Sequence, residues 1–321
     1  MQSHVKHVPV ALNRCIELLT PSIESAIAQR GLAVIVDATL GLGGHSRALL
    51  EKFSKLRIIG FDRDTKALEE AKRNLCPYAE RLTAVHAVYD EIDSVLDGLG
   101  IDSVDGFLFD LGVSSMQLDE GERGFAYSYP APLDMRMDQS AGMTARDVLM
   151  NYPKEELIRV LREFGEEKFA PRIADRIIAS RDNGGLINTQ QLAELVKDAI
   201  PAPARRIGGN PAKRTFQALR IEVNQELEVL NRAIPSALDH THVGGRVVVM
   251  AYQSLEDKIV KRFFTEVCAS KTPRNLPVEL PDSAAKFTYV INGSEKASAE
   301  EIELNSRAQS VRIRAVERRA A

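Results

Sequence analysis

Tryptophan is absent from the 321 residues, and cysteine occurs only three times, at Cys15, Cys76 and Cys268, with no C-x-x-C spacing. An odd, scattered set of this kind is neither a disulfide framework nor a zinc site; reduced thiols in a cytoplasmic protein are expected. No apolar run approaches the roughly 18 residues of a membrane-spanning helix, and no secretory leader is visible, so no membrane contact is expected. Positive charge is not in surplus either: 42 Lys and Arg against 45 Asp and Glu give a net charge of -3. Any nucleic-acid contact must therefore come from a local basic patch. Repeats and low-complexity tracts are missing, and no constellation of side chains reads as a metal site.

What is present is a globular composition, 44% hydrophobic and 27% charged, long enough for one large or two ordinary domains. The chain is organised around Asp37-Ala38-Thr39-Leu40-Gly41-Leu42-Gly43-Gly44-His45-Ser46. The apolar run Ala33–Val36 before it reads as a buried parallel strand, and the helix formers from Arg47 to Phe53 follow it. Strand, glycine turn and helix make the ligand-facing corner of a doubly wound sheet. Gly41, Gly43 and Gly44 are expected to let the backbone turn sharply and a ligand approach. The next strand, Leu56–Asp62, ends in an acid 18 residues beyond Gly44, where a nucleoside-binding fold places a carboxylate for the ribose hydroxyls. Asp64 is the better cap for the helix Thr65–Asn74. Ser46 stands where a dinucleotide fingerprint needs its third glycine. Asp37 would repel a pyrophosphate but suits a ligand with a sulfonium or ammonium centre, which favours S-adenosylmethionine over NAD.

Further strands are predicted at Leu82–His86, Asp105–Asp110 and Arg246–Tyr252, with Phe287–Ile291 and Val311–Val316 as an antiparallel edge. Tyr89 lies beyond the third strand, either stacking on an adenine ring or packed under a loop. His86 reads as a core histidine and His7 as a surface or lid residue. Asp110 reaches the carboxyl end of the fourth strand, where an unpaired buried carboxylate is costly. It would bind the amino-acid end of the cofactor or accept hydrogen bonds from a substrate amine. Two short helices broken at Thr20-Pro21 are expected between Val10 and Gln29. From about Glu120 the pattern becomes helical, with Thr144–Asn151, Lys154–Phe164, Glu166–Asp182 and Thr189–Ile200 forming an inserted helical domain. Arg205, Arg206, Lys213, Arg214 and Arg220 follow with no acid among them, a solvated loop or a phosphate-contacting surface. A long helix is predicted from Arg214 to about Ala237, and Ser254 is expected to cap another, with Asp257 three residues on. Pro273–Pro281 reads as a loop.

Seven blocks in this order resemble one family, the bacterial 16S rRNA (cytosine-N4)-methyltransferases (RsmH, formerly MraW). They are Asp37-Ala38-Thr39 with Gly43–Ser46, Asp62-Arg63-Asp64, Asp110–Asp119, Glu122–Phe125, Pro132–Met137, Arg214–Asn224 and Ser254–Asp257. The resemblance runs from His7 almost to the C-terminus. It implies an α/β fold, the class I S-adenosylmethionine-dependent methyltransferase sheet (Rossmann-like, doubly wound) with an inserted all-α domain. The implied division is 1–119 and 213–321 for the methyltransferase domain and 120–212 for the helical insert. It implies S-adenosyl-L-methionine as methyl donor and N4 of cytidine 1402, in the decoding region of 16S rRNA in the small ribosomal subunit, as acceptor. A homodimer is also implied. Matching motifs carry cofactor contacts onto Gly43, Gly44, His45, Asp62, Tyr89, Asp110 and Gln117, with Asp110 as the candidate catalytic residue. Arg205, Arg206, Lys213 and Arg214 are the candidate RNA contacts.

The chain departs from the family pattern in places. Ala251-Tyr252-Gln253 stands where the family commonly reads Ser-Phe-His, Asn210 replaces a usual histidine, and Asn305-Ser306-Arg307 replaces Asn-Pro-Arg. Gln253 can be neither acid nor base, so no catalytic histidine is available there. Two other readings compete. An NAD-dependent oxidoreductase is opposed by Ser46 and by the lack of a hydride-transfer constellation. An RNA-binding assembly factor without chemistry is opposed by the intact Gly43–Ser46, Asp62 and Asp110–Gln117 blocks.

Overall fold

Residues 9–319 are described by a computed structural model, apart from 115, 118–120, 128, 183, 206–209 and 273–282. His7, Asp119, Arg206 and the Pro273–Pro281 loop thus lie outside the described residues.

Strands whose side chains are apolar on both faces need helices on both sides. Among the described residues, seven strands meet this need in one sheet: β1 (Ala33–Asp37), β2 (Leu56–Asp62), β3 (Leu82–His86), β4 (Val104–Asp110), β5 (Thr241–Ala251), β6 (Phe287–Tyr289) and β7 (Arg312–Arg318). Their order is β3-β2-β1-β4-β5-β7-β6. β1 to β5 run parallel, and β7 lies antiparallel between β5 and β6. This is the class I methyltransferase arrangement. The chain winds outward from β1 to β3 and then returns to β4 beside β1. The sheet therefore changes winding direction between β1 and β4, and a crevice opens at their carboxyl ends.

Alternation along the strands builds two cores. Leu108, Val248 and Met250 face one side, with α1 (Leu12–Arg30), α2 (Gly44–Lys52) and α3 (Thr65–Asn74). Phe107, Phe109, Val247 and Val249 face the other, with α4 (Ile92–Gly98) and two later helices. At the base of the sheet Asp105 accepts the Val34 N–H at 2.8 Å and pairs with Arg30. Asp64 caps α3, its carboxylate accepting from Lys66 N at 3.1 Å.

The chain divides into two compact units, 1–112 with 227–321, and 113–226. The second unit holds α5 (Ala145–Asn151), α6 (Lys154–Glu163), α7 (Ala170–Arg181), α8 (Thr189–Ala199), α9 (Ala202–Arg205) and α10 (Lys213–Asn224). Its core draws on Leu157, Leu161, Ile173, Leu192 and, from α10, Phe216 and Leu219. The boundaries drawn at 120 and 212 from the sequence leave α10 out of this unit, although its buried face belongs to this core. Asn224 is fully used there: Oδ1 accepts Met137 N at 2.7 Å and Nδ2 donates to Met135 O at 2.7 Å. The run Asp134–Asp138 is thereby fixed, with Asp134 and Arg136 paired at 2.8 Å and both methionines buried.

Several expected elements differ. α1 is one helix through Pro21, because Cys15, Leu18, Leu19, Ser22, Ile23 and Ala26 form one buried stripe across it. That packing outweighs the single backbone bond the proline removes. The predicted helix from Arg214 to Ala237 is two helices, α10 and α11 (Glu226–Asp239), broken where Gln225 turns left-handed at φ 51°. In α12 (Ser254–Val267) the cap is Gln253 rather than Ser254, with Glu256 accepting the Gln253 N–H at 3.2 Å. Asp257 instead pairs with Arg314 at 2.7 Å, both side chains almost fully buried. His86 is exposed on the edge strand β3 rather than in the core, bonded to Arg63 O at 3.1 Å.

Although burial alone would raise its pKa, the Arg314 and Arg312 guanidinium groups hold the Asp257 carboxyl below the usual carboxylate range. Removing the charge in Asp257→Asn strands Arg314 and is expected to cost about 3 kcal/mol in urea unfolding. A loss under about 1 kcal/mol would mean that α12 and β7 do not depend on the pair.

Candidate active site

Three carboxylates stand at the ends of neighbouring strands: Asp37 on β1, Asp62 on β2 and Asp110 on β4. Asp37 is buried, with Oδ2 accepting the Ser46 hydroxyl at 2.6 Å and Oδ1 accepting Thr39 N at 3.3 Å. Burial pushes its pKa up, against the pull of Ser46 and His45. Asp62 accepts Gly41 N at 2.8 Å on one oxygen and Asp64 N at 2.8 Å on the other. Burial lifts its carboxyl to about 6 in spite of those two bonds. Neither Asp37 nor Asp62 pairs with a lysine or arginine among the described residues. The Asp110 N–H donates to Thr39 Oγ1 at 2.7 Å, which fastens the end of β4 to the turn after β1.

The glycines of that turn serve different ends. Gly41 and Gly43 take positive φ, 53° and 80°, where a side chain is strained. A Cβ at Gly43 would also lie 2.7 Å from Leu75 Cδ1, and one at Gly44 2.4 Å from Pro9 Cγ. The bareness of Gly43 and Gly44 thus admits the protein's own side chains, whereas beside Gly41 only the Thr39 carbonyl comes within 4 Å. In the side-chain direction, then, only Gly41 has open space around it.

His45 lies in the first turn of α2, behind the loop, and is buried. Its Nε2 lies 3.0 Å from Val10 O. A carbonyl only accepts, so Nε2 carries the hydrogen and, in the neutral ring, Nδ1 carries the lone pair. Nδ1 is 3.9 Å from Asp110 Oδ2. On the other carboxylate oxygen, Asp110 Oδ1 accepts the Tyr252 hydroxyl at 2.7 Å. Tyr89 opens a short 3-10 turn after β3 and sets its ring edge-on to Phe109, centroids 5.8 Å apart.

The first unit thus brings Gly43, Gly44, His45, Asp62, Tyr89 and Asp110 to the carboxyl edge of one sheet. Gln117 belongs to the second unit, buried, with Oε1 accepting Ser114 N at 3.1 Å. So do the basic residues. Arg205 is spent on the carbonyl of Ile200 at 2.7 Å, closing the end of α8. Arg220 is neutralised by Glu226 at 2.8 Å. Lys213 and Arg214 are exposed in the first turn of α10, Arg214 also donating to Glu166 O at 3.0 Å.

The model of the MraW methylase family matches residues 4–319. The chain belongs to that family. A Ribosomal RNA small subunit methyltransferase H of Renibacterium salmoninarum is 56% identical over 313 residues, covering 98% of this chain and 95% of that protein. The protein of the same name from Saccharopolyspora erythraea is 56% identical, covering 98% and 93%. Among solved structures, an rRNA methylase from Streptococcus thermophilus aligns over 98% of this chain and 99% of its own at 10% identity and a TM-score of 0.42.

For this MraW-family methylase, sequence reasoning missed Tyr252, Ser46 and Thr39 as partners of the strand-end acids. The signal was present for one of them. β4 and β5 are parallel, with Asp110 opposite Met250. A residue two positions beyond Met250 returns to the same face, so a polar tip there falls beside Asp110.

Gly44→Ala leaves the helix backbone unstrained and tests only the seat of Pro9. It is expected to destabilise the protein by about 1–3 kcal/mol in thermal unfolding. Faster amide exchange at Val10 and Ala11 should accompany it, and unchanged exchange there would show that Pro9 simply moves aside.

Proposed function

We propose that this methyltransferase methylates N4 of cytidine 1402 in the 16S rRNA of the small ribosomal subunit, in the cytoplasm, with S-adenosylmethionine as donor. The observation that carries the reading is the row of strand-end carboxylates Asp37, Asp62 and Asp110, whose first two acids lack a lysine or arginine partner among the described residues. A row of acids of this kind suits a ligand bearing positive charge and repels a pyrophosphate. The names of the relatives, each a ribosomal RNA small subunit methyltransferase, support the substrate class.

The residues fit the donor. Each oxygen of Asp62 already takes one backbone N–H and retains a second lone pair, enough for two ribose hydroxyls. The Tyr89 ring supplies an apolar face for a purine, held by Phe109. When bound, S-adenosylmethionine supplies a methyl group on a sulfonium, a strong electrophile. The protein's task is then alignment, because the N4 lone pair of cytosine is delocalised into its ring. Asp110, fixed by Thr39 and Tyr252, is the acceptor for an amine hydrogen at the end of β4. It would draw the amine toward tetrahedral geometry. Lys213 and Arg214, exposed at the start of α10, are the positive groups for the RNA backbone, with Arg206 before them and Arg205 committed to the end of α8. A base in folded rRNA must also be splayed out before its amine is reached.

Incubation of the protein with unmethylated 30S particles and tritiated S-adenosylmethionine should yield N4-methylcytidine at position 1402 by mass spectrometry. Asp110→Ala should lower the rate by about two orders of magnitude or more. Absence of transfer by the wild type, or near-normal turnover by the variant, would defeat the respective assignment. The ribose role of Asp62 has its own pH signature. Only the ionised carboxylate accepts both hydroxyls, so with a pKa near 6 the affinity is complete above neutrality and lost as pH falls. Calorimetry should show S-adenosylhomocysteine binding about tenfold weaker at pH ~5 than at pH ~7.5. A flat affinity over that range would remove Asp62 from the ribose.

A further inference from the structure

Resting on the reading of the Gly43–His45 turn as part of the donor's seat, we propose that Glu301 is a positioning residue for that turn. Its carboxylate clamps one end of the Val10–Ala11 peptide group and thereby holds the other end on His45.

The carbonyl of Val10 and the N–H of Ala11 belong to one planar peptide unit and point in opposite directions. Both ends are occupied. Val10 O lies 3.0 Å from His45 Nε2, and Ala11 N donates to Glu301 Oε1. A carbonyl needs a hydrogen from its partner, so Nε2–H is the donor whatever charge the ring carries. The rotation of a single plane therefore decides both bonds, and turning it would take them away together. Local preference does not hold the plane where it is. Ala11 lies at φ 52° and ψ 29°, the left-handed region that a residue with a Cβ avoids. Ala11 is also buried, so its N–H has no bulk water to turn to. Without the carboxylate, the peptide gains by rotating toward ordinary backbone angles, and Val10 O leaves the imidazole.

Glu301 can serve as a clamp because its own place is fixed. It belongs to α13 (Ala299–Leu304), whose cap Ser298 accepts Glu301 N on its hydroxyl oxygen at 3.2 Å. The next residue, Ile302, packs against the core on the α1 side of the sheet. Upstream, Glu295 is sewn to β7, its N–H donating to Ile313 O at 2.9 Å and its carbonyl accepting Ile313 N at 2.8 Å. The Glu295 carboxylate also grips Arg14 of α1 with both oxygens, at 2.8 and 2.9 Å. On the far side of the peptide, Pro9 fills the bare face of Gly44. Three successive residues thus join three places: Pro9 and Val10 hold the turn before α2, and Ala11 is held by α13. Glu301 acts on the donor's seat only through that plane.

The test compares wild type, Glu301→Ala, Glu301→Gln, and Glu301→Ala combined with Ala11→Gly. Each is titrated with S-adenosylhomocysteine by calorimetry, and amide exchange at Ala11 is followed without ligand. Glutamine keeps a carbonyl acceptor, so Ala11 should stay protected and affinity should stay within about threefold of wild type. Glu301→Ala should open Ala11 to fast exchange and weaken binding about tenfold, as the competent orientation falls to about a tenth of the population. Glycine meets no steric cost at positive φ, so Ala11→Gly should restore most of the affinity in the alanine background. Fast exchange with unchanged affinity would reveal a tether that does not serve the site, and would overturn the proposal. Equal weakening by alanine and glutamine would also overturn it, since that reports charge and not a grip on the peptide. A double variant no better than Glu301→Ala would do the same. A wild type that gives no heat would strike the donor reading and the positioning role with it. The exchange data need no ligand and would still show whether Glu301 holds the peptide.

Discussion

The pairing of β1 with β4 is the constraint from which the candidate site follows. These strands are adjacent in the sheet yet far apart in sequence, with Val36 opposite Phe107 and Asp37 opposite Leu108. Beyond the paired segment the two chains part, but not freely. Ala38 N donates to Leu108 O at 2.9 Å, and Thr39 Oγ1 receives the N–H of Asp110. Two bonds thus join the turn after β1 to the tip of β4 and determine how far apart their acids stand. Gly106 permits the close approach at mid-strand, since a Cβ there would lie 2.9 Å from both Ile35 Cδ1 and Arg246 O. Without that small residue, β4 could not lie so near both neighbours.

Much of this was legible from residue order. Buried parallel strands announce themselves as runs such as Ala33–Val36, and each strand-end acid marks the carboxyl edge because a charge is tolerated only where the apolar run stops. Asp64 was recognisable as a cap because its neighbours are good helix formers and Asp62 falls inside the strand. The errors share a cause: local signals were trusted where packing decides. Pro21 looked like a helix boundary, but the stripe from Cys15 to Ala26 holds the helix together around it. The opposite happened at Gln225, whose local pattern is helical although the chain turns there, with Arg220 and Glu226 paired six positions apart. A left-handed glutamine leaves no mark on periodicity.

The loop side chains were legible as residue types but not as partners. Ser46 entered the sequence reading only as a missing glycine, yet its hydroxyl holds Asp37. Gly44 was read as room for a ligand, and in the direction of its missing side chain it is room for Pro9. In the second unit, the run around Arg136 is fixed from within by Asn224, 87 positions downstream of Met137. Contacts of that range are set by the tertiary fold, and no window on the sequence contains both ends.

The bond from His45 to Val10 differs in kind from its neighbours. Its acceptor is a main-chain oxygen, present whichever amino acid occupies position 10. Substitution can displace that oxygen but cannot delete it. The hydrogen placement on the imidazole is therefore insulated from genetic drift, whereas the bond from Tyr252 to Asp110 rests on a phenolic oxygen that one codon change removes.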